Sequence, residues 1–287
     1  MTHSTPHRNW FITGASSGMG LALTKAAINR GDNVVGLSRN PEPLKDIAGA
    51  HPEQLLTLRA DIRNQSEVDA AVEQGLAKFG RIDVLVNGAG YGIWGAVEEA
   101  TDAQVRAAFG TNVFGTLNVL RAVLPSLRTQ RSGHVVQIAA YRGQSSSPGM
   151  GLISAFNYAK EGLSDGLYEE LKPLGIHVTI VEPAPSATGF RANLDRAPEI
   201  ADYDQTVRAA LAAIRALPAE HFSLPEPIAT AILAAVDADE PPLRLATGSV
   251  AVNTIRKTLQ SRLANLEAWE AVSVAVDGDP DRVCPLD

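Results

Sequence analysis

Short apolar runs rich in β-branched residues alternate along the chain with segments of helical periodicity. In one helical segment, Val68, Ala71, Val72 and Leu76 fall on a single face. The strand-like runs are NWFITG, NVVGLS, LLTLRA, IDVLVN, HVVQIA, IHVTIV and LRLATG. Because parallel strands are joined by crossover helices and buried on both faces, this alternation predicts an α/β fold, with helices covering both faces of a doubly wound parallel sheet.

One region, residues 190–224, interrupts the alternation and shows no strand signal. A segment inserted at the carboxyl end of a parallel strand is well placed to cover a ligand crevice. We therefore interpret it as a substrate lid within one domain spanning residues 1–287, with plain surface helices as the alternative. Its apolar residues favour a fairly apolar ligand; they are Phe190, Leu194, Tyr203, Ala209, Leu211 and Phe222.

Composition narrows the class of partner. The chain has 287 residues, a formal charge of -7 and one cysteine, Cys284. The acidic balance argues against nucleic acid, and neither a metal-ligating cluster nor an apolar stretch of membrane-spanning length is present. With no apolar leader at the N-terminus, we expect a cytoplasmic protein that binds a small molecule and no metal.

A glycine-rich loop, TGASSGMG, follows the first predicted strand and opens a helix. The spacing of the glycines is G-x-x-x-G-x-G. Gly14 permits a tight turn, Gly18 allows the backbone to approach a pyrophosphate closely, and Gly20 allows the helix to pack closely on the strand. The helix N-terminus adds a positive dipole end. The strand–turn–helix context is the one that a dinucleotide site requires.

This loop is accompanied by four further motifs, ADIR, VNGAG, GTNVFG and VEPAPSATGF. With them, the chain resembles the short-chain dehydrogenase/reductase family over nearly its whole length. Gly88 replaces the second asparagine of the family's NNAG element, and Ala184 replaces the glycine of its Pro-Gly segment. The resemblance implies a Rossmann-type sheet of strand order 3-2-1-4-5-6-7 and a nicotinamide dinucleotide. The implied cofactor contacts are Gly14, Ser16, Ser17, Gly18, Met19, Ser38, Arg39, Asp61, Ile62, Asn87, Gly88, Ala89, Lys160, Pro183 and Thr188.

The end of the second strand, GLSRN, favours NADP. A site selective for NAD usually presents a carboxylate here to the ribose, whereas a 2′-phosphate needs a cation. Leu37 and Ser38 supply no carboxylate, and Arg39 can fork onto a phosphate. We therefore expect NADP, with Arg39 as a merely solvated cation the alternative.

The resemblance places a catalytic asparagine at Asn112 and a lysine at Lys160, but alanine and phenylalanine at the serine and tyrosine positions, Ala140 and Phe156. Phe156 lies four residues before Lys160 and so on the same helical face, whereas Tyr158 is turned roughly 200° away from Lys160. Ser145 and Tyr158 show the family's usual separation of thirteen residues, whereas Ala140 and Phe156 are sixteen apart. We prefer Ala140 and Phe156, with Tyr141, Ser145, Ser146 and Tyr158 as possible substitute hydroxyls.

Two functions remain open. The first is an NADP-dependent oxidoreductase, a ketone reductase or alcohol dehydrogenase, that lacks its proton donor because the chain is an inactivated variant or a natural departure. The second is a non-redox cyclase, isomerase, epimerase or cofactor-sensing binding protein on the same frame.

The resemblance also implies a homodimer or homotetramer through helices around residues 101–130 and 154–174, the latter rich in small and apolar positions.

Overall fold

The computed structural model describes residues 7–186 and 194–277. Its main sheet has seven parallel strands in the spatial order β3-β2-β1-β4-β6-β7-β9. These strands are β1 Asn9–Thr13, β2 Asn33–Ser38, β3 Leu55–Arg59, β4 Val84–Asn87, β6 Gly133–Ile138, β7 Ile176–Pro183 and β9 Arg244–Thr247. Counted within this sheet, the order is 3-2-1-4-5-6-7, so the expected Rossmann-type fold is confirmed.

Helices cover both faces of the sheet, and alternate strand residues feed two separate cores. Trp10 and Ile12 point into the core shared with α1 and α8, whereas Phe11 points into the core shared with α3 and α5. The helices are α1 Gly18–Asn29, α2 Lys45–Ala50, α3 Gln65–Phe79, α4 Asp102–Phe109, α5 Thr116–Gln130, α6 Gly151–Leu171, α7 Ala209–Arg215, α8 Pro225–Asp237 and α9 Ser249–Val274.

Local sequence sets where several helices begin. The Asn64 side chain caps α3 by accepting a hydrogen bond from the Ser66 N–H. Thr101 and Gln104 form a reciprocal capping box at the start of α4. Each cap satisfies backbone N–H groups that have no partner within the helix, which stabilises the helix start by about 1 kcal/mol.

The helical segment that leads into β6 is interrupted by a π-helical turn, Gly110–Gly115, which separates α4 from α5. Asn112 lies inside this turn and donates from Nδ2 to the carbonyl of Ala108 at 2.9 Å and to that of Tyr91 at 2.8 Å. The amide side chain thereby holds the turn against the segment that follows β4. Such π-turns often occur at functional sites.

The region after β7 corrects one expectation. Although its sequence shows no strand signal, Asp195–Arg196 forms a two-residue strand, β8, parallel to β5, Ile93–Trp94. The pairing was missed because two residues are too few to show a period. Residues 190–193 of the expected lid lie outside the described residues.

Among the described residues, none of the helices combines the length and the apolarity needed to cross a bilayer.

Candidate active site

The glycine-rich loop has the geometry of a close backbone approach. Gly14 has φ 72°, which side chains other than glycine rarely adopt. A Cβ on Gly20 would collide with the carbonyl oxygen of Gly14, so the first turn of α1 can pack on the loop only with glycine here. The loop therefore brings the N-terminus of α1 to the carboxyl end of β1, as the sequence predicts.

Buried polar groups without partners mark this same edge of the sheet. The Ser38 hydroxyl at the end of β2 and both amide atoms of Asn87 at the end of β4 have no hydrogen-bond partner among the described residues. Unpaired buried polar atoms are costly, and native sites that bind ligands often contain them. Between them, Thr13 Oγ1 accepts from the N–H groups of Gly88 at 3.1 Å and Ala89 at 3.2 Å. This edge therefore fits the polar groups of a dinucleotide.

The expected adenine-side residues lie at the ends of β2 and β3. Arg39 is exposed and has no ion-pair partner in the described part of the chain. Asp61 forms an ion pair with Arg63, Nη2 to Oδ2 at 2.5 Å, which holds the pKa of Asp61 below its usual range. Ile62 is buried in the core beside α5. Of these residues, Arg39 is the cation left free to meet a phosphate.

A cavity of about 180 Å³ opens at the carboxyl ends of β4, β6 and β7. It contains all four expected catalytic positions, together with the expected cofactor residues Met19, Gly88 and Pro183. Leu194, Leu211 and Ile214 of the expected lid line its outer side. The residues around it are largely apolar, among them Trp94, Met150 and Ile153. Thr188, the remaining expected cofactor contact, lies outside the described residues.

Lys160 and Asn112 meet at the floor of this cavity. The Lys160 ammonium donates to the carbonyl of Ile138 at 3.0 Å, and burial lowers the pKa of Lys160 to about 8. A Cβ on Gly90 would collide with Asn112 Oδ1 and lie 4.0 Å from Lys160 Nζ. Lys160 and Asn112 therefore lie close together on the side of the Gly90 backbone where a side chain would otherwise project.

Neither Ala140 nor Phe156 gives this floor a hydroxyl. Phe156 lies on the same face of α6 as Lys160, as predicted, and packs edge to face against Phe109 with ring centroids 6.2 Å apart. Its ring belongs to an apolar cluster with Ile93, Leu152 and Ile153. The cavity thus retains a buried cation and an amide, and neither of the two expected hydroxyl positions supplies a hydroxyl.

Of the four substitute hydroxyls, only Tyr141 lines the cavity. Ser145 is buried and donates to the Tyr141 carbonyl at 3.0 Å, while Ser146 pairs with the Ser154 hydroxyl at 3.0 Å. The Tyr158 ring lies beneath Arg262 of α9, 5.2 Å from the guanidinium carbon, so it faces away from Lys160 as predicted. Ser145 and Tyr158 are therefore not brought together in this cavity.

A second pair of residues on α6, which the sequence reasoning missed, faces the same cavity. Ile153 and Asn157 both line it and are four residues apart, like Phe156 and Lys160. Ile153 also lies thirteen residues after Ala140, so the interval that pointed to Ser145 and Tyr158 could have found it. Positions 153, 156, 157 and 160 share one helical face because they follow the i, i+3, i+4, i+7 spacing. Among the described cavity residues, Lys160 is the only lysine.

Comparisons with known proteins agree with the fold. Residues 8–199 match the short chain dehydrogenase family, and the chain belongs to that family. It is 35% identical to "Oxidoreductase BOA17" from Botryotinia fuckeliana over 93% of this chain and 98% of that protein. It is 40% identical to a "3-ketodihydrosphingosine reductase" from Bacteroides thetaiotaomicron over 63% of this chain and 65% of that protein.

A solved structure shows the same architecture. A short-chain dehydrogenase from Streptomyces avermitilis superposes with a TM-score of 0.88 at 37% identity, covering 95% of this chain and all of that one. The seven-stranded sheet therefore occurs in a family that includes oxidoreductases.

Proposed function

We propose that this protein is an NADP(H)-dependent oxidoreductase that interconverts a largely apolar ketone and its alcohol. The observation that carries the proposal is the convergence of Asn112, Ala140, Phe156 and Lys160 in one cavity at the carboxyl edge of the sheet, next to the glycine-rich loop. A crevice at this edge is where doubly wound sheets bind their ligands. The relative named for reduction of a ketone supports the reaction class.

The residues that would hold the cofactor come from the ends of β1, β2, β4 and β7 and from helix α6. The loop after β1 would present backbone N–H groups and the α1 N-terminus to the pyrophosphate. Ser38 and Arg39 would hold the 2′-phosphate, and Asn87 and Lys160 would hold the riboses. When bound, NADPH supplies a hydride to the substrate carbon. Pro183 lines the cavity and would lie beside the nicotinamide.

The chain itself contributes orientation and one proton donor. Leu194, Leu211 and Ile214 exclude water from the apolar side of the cavity. The substrate oxygen gains a proton as its carbon is reduced, and a tyrosine would ordinarily supply it. With Phe156 in that place, we assign the role of acid to the buried Lys160 ammonium, whose pKa of about 8 leaves it protonated at neutral pH. Turnover is therefore slow.

A second function is favoured by the missing hydroxyls. Ala140, Phe156 and Ile153 give the cavity an apolar surface suited to positioning a substrate without a hydroxyl as proton donor. A non-redox cyclase, isomerase or epimerase, or a protein that binds the cofactor as a signal, would retain the dinucleotide site and need neither hydroxyl.

Fluorescence titration with NADPH, followed by stopped-flow NADPH oxidation with a panel of apolar ketones, tests the proposal. We expect saturable binding and slow oxidation matched by alcohol formation. Gly20→Ala should abolish binding because the methyl group collides with the Gly14 carbonyl. Gly162→Ala, where a Cβ has open space, is the matched control. Conversion of a substrate without NADPH oxidation would replace the proposal with the non-redox function, and no NADPH binding would refute both.

A further inference from the structure

A half-buried arginine lines the cavity close in sequence to the expected position of the substrate oxygen. Arg142 lies two residues after Ala140, in the short turn Tyr141–Gly143 that follows β6, and both residues border the same cavity. The Gly143 N–H donates to the Ala140 carbonyl at 2.7 Å, and a Cβ on Gly143 would collide with the Glu161 side chain of α6. The turn therefore packs directly on α6, which fixes the backbone from which Arg142 projects.

The Tyr141 ring supports the arginine head group. The guanidinium carbon of Arg142 lies 4.5 Å from the centroid of this ring. The ring is itself buried in an apolar cluster with Ala184 and Ala251. A guanidinium stacked on an aromatic face keeps the N–H groups of its edge available for a planar acceptor. Arg142 is therefore oriented before any ligand binds.

The described part of the chain offers this cation no anion. Arg142 forms no ion pair there, and its buried Nε has no hydrogen-bond acceptor. None of the described residues that line the cavity is an aspartate or a glutamate. The indole N–H of Trp94 is a second buried donor of the cavity wall without an acceptor. Because buried donors are costly when unpaired, these two groups fit a ligand that supplies acceptor oxygens.

We infer that the substrate carries a carboxylate, which the Arg142 guanidinium binds. The inference rests on the proposed function for the reaction and adds the substrate class, an apolar oxo acid and the corresponding hydroxy acid. A guanidinium offers two parallel N–H donors, which a carboxylate accepts together, and its single positive charge matches the single negative charge of that group. Leu194, Leu211 and Ile214 would pack on the hydrocarbon part. The carboxylate is unchanged in the reaction, in which a hydride and a proton convert the ketone into the alcohol.

Calorimetric titration of the protein–NADPH complex with octanoate and with octanamide tests the charge. The two probes have the same chain length and nearly the same shape, but only octanoate is anionic. We expect octanoate to bind at least about tenfold more tightly, because a charge-assisted hydrogen bond is gained. Equal affinities for the two probes, or tighter binding of octyl phosphate than of octanoate, would overturn the assignment of a carboxylate.

Variants at Arg142 locate the contact. Arg142→Met should weaken octanoate binding on the order of 10–100-fold and leave the affinities for octanamide and NADPH unchanged. Arg142→Lys should recover part of the loss, because lysine keeps the charge but not the planar fork. Arg128→Met, an exposed change on α5, is the matched control and should leave all three affinities unchanged.

Two results with Arg142→Met would overturn the inference. If the variant still prefers octanoate, Lys160 is the anion contact, and if it loses affinity for NADPH by a similar factor, Arg142 contacts the cofactor. Failure of the proposed function has a different signature, which is the absence of NADPH binding to the parent. The cofactor-free protein should then still prefer octanoate to octanamide, and Arg142→Met should still remove that preference.

Discussion

Arg208 forks onto the carboxylate of Glu99, two residues separated by 109 positions in sequence. The Glu99 side chain is inaccessible to solvent and also accepts from the N–H groups of Ala96 at 2.6 Å and Ile200 at 2.8 Å. This carboxylate ties the connection after β5 to the segment that leads into α7. Because α7 supplies Leu211 and Ile214 to the cavity, Glu99 positions the apolar wall of the site.

Replacing Glu99 should lower the stability of the folded protein at neutral pH much more than at acidic pH. Arg208 and two backbone N–H groups lower the pKa of Glu99 from 4.5 to about 2. The folded state thus favours the carboxylate, and this stabilisation is present above about pH 4.5 and is lost as the pH falls towards 2. We expect Glu99→Gln to lower the Tm by on the order of several degrees at pH 7 and by much less at pH 3.

Thermal melts at both pH values check this, with Asp102→Asn as the control. Asp102 pairs with Arg106 on the exposed face of α4 and should contribute little. An equal loss of stability at pH 7 and pH 3 in Glu99→Gln would mean that packing and not charge holds this contact.

Glu182 should behave in the opposite way. It is buried at the end of β7 beside the buried Glu161, and burial together with the Glu161 charge raises the pKa of Glu182. The folded state then binds a proton more tightly than the unfolded state, so stability falls as the pH rises above 4.5. Glu182→Gln should therefore melt at a higher temperature than the parent at pH 8, with no advantage near pH 4. Glu170→Gln, an exposed change on α6, is the control. An advantage of Glu182→Gln that does not depend on pH would contradict the explanation from the raised pKa of Glu182.

The buried Lys160 ammonium should destabilise the cofactor-free protein, although the same residue contributes to cofactor binding. Burial lowers the pKa of Lys160 from 10.5 to about 8, so the folded state releases its proton earlier than the unfolded state. The stability contribution of this group therefore rises between pH 8 and 10.5. We expect Lys160→Met to have a higher Tm than the parent at pH 7, a smaller advantage at pH 10, and weaker NADPH binding. Calorimetry without and with NADPH measures these effects, and a constant difference in Tm between the two pH values would refute the explanation.

Arg39 should decide between the two dinucleotides. Arg39 is exposed and forms no ion pair within the described part of the chain, so it can pair with a 2′-phosphate, which NAD(H) lacks. We expect NADPH to bind at least about tenfold more tightly than NADH, a difference that Arg39→Ala should remove. Arg128→Ala on the exposed end of α5 is the control. Equal calorimetric affinities for both cofactors in the parent would leave the preference without support.

Restoring the missing groups should restore carbonyl chemistry. Ala140→Ser with Phe156→Tyr would place a phenol four residues before Lys160 and a hydroxyl at the end of β6. General acid catalysis contributes about 10²–10⁴-fold, and an oxyanion donor about 10²–10³-fold. We expect ketone reduction to rise at least about 10³-fold, with each single change recovering much less.

The second pair on α6 provides the competing variant. Ala140→Ser with Ile153→Tyr and Asn157→Lys rebuilds the same spacing one turn earlier, at the thirteen-residue interval. Stopped-flow NADPH oxidation is measured on the double variant and on this triple variant. The variant that gains activity shows which two positions on α6 can accommodate the catalytic tyrosine and lysine. If only the triple variant gains activity, Phe156 is a packing residue and Ile153 marks the tyrosine position.

Much of this protein was determined by the sequence alone. Seven apolar runs became the seven strands of the sheet, because residues buried on both faces leave a continuous signal. The loop from Gly14 to Gly20 could be placed because steric restrictions on glycine positions are local. The shared face of Phe156 and Lys160 followed from helical spacing alone.

Only the tertiary structure decided which side chains meet. The pairing of β5 with β8 and the contact between Glu99 and Arg208 join segments about a hundred residues apart, and no local periodicity records such contacts. The presence of two i, i+4 pairs in one cavity, and the burial that lowers the pKa of Lys160, likewise depend on how α6 packs against β6 and the π-turn. Local preferences select the elements, but the environment of a reactive group is set by the chain segments that fold around it.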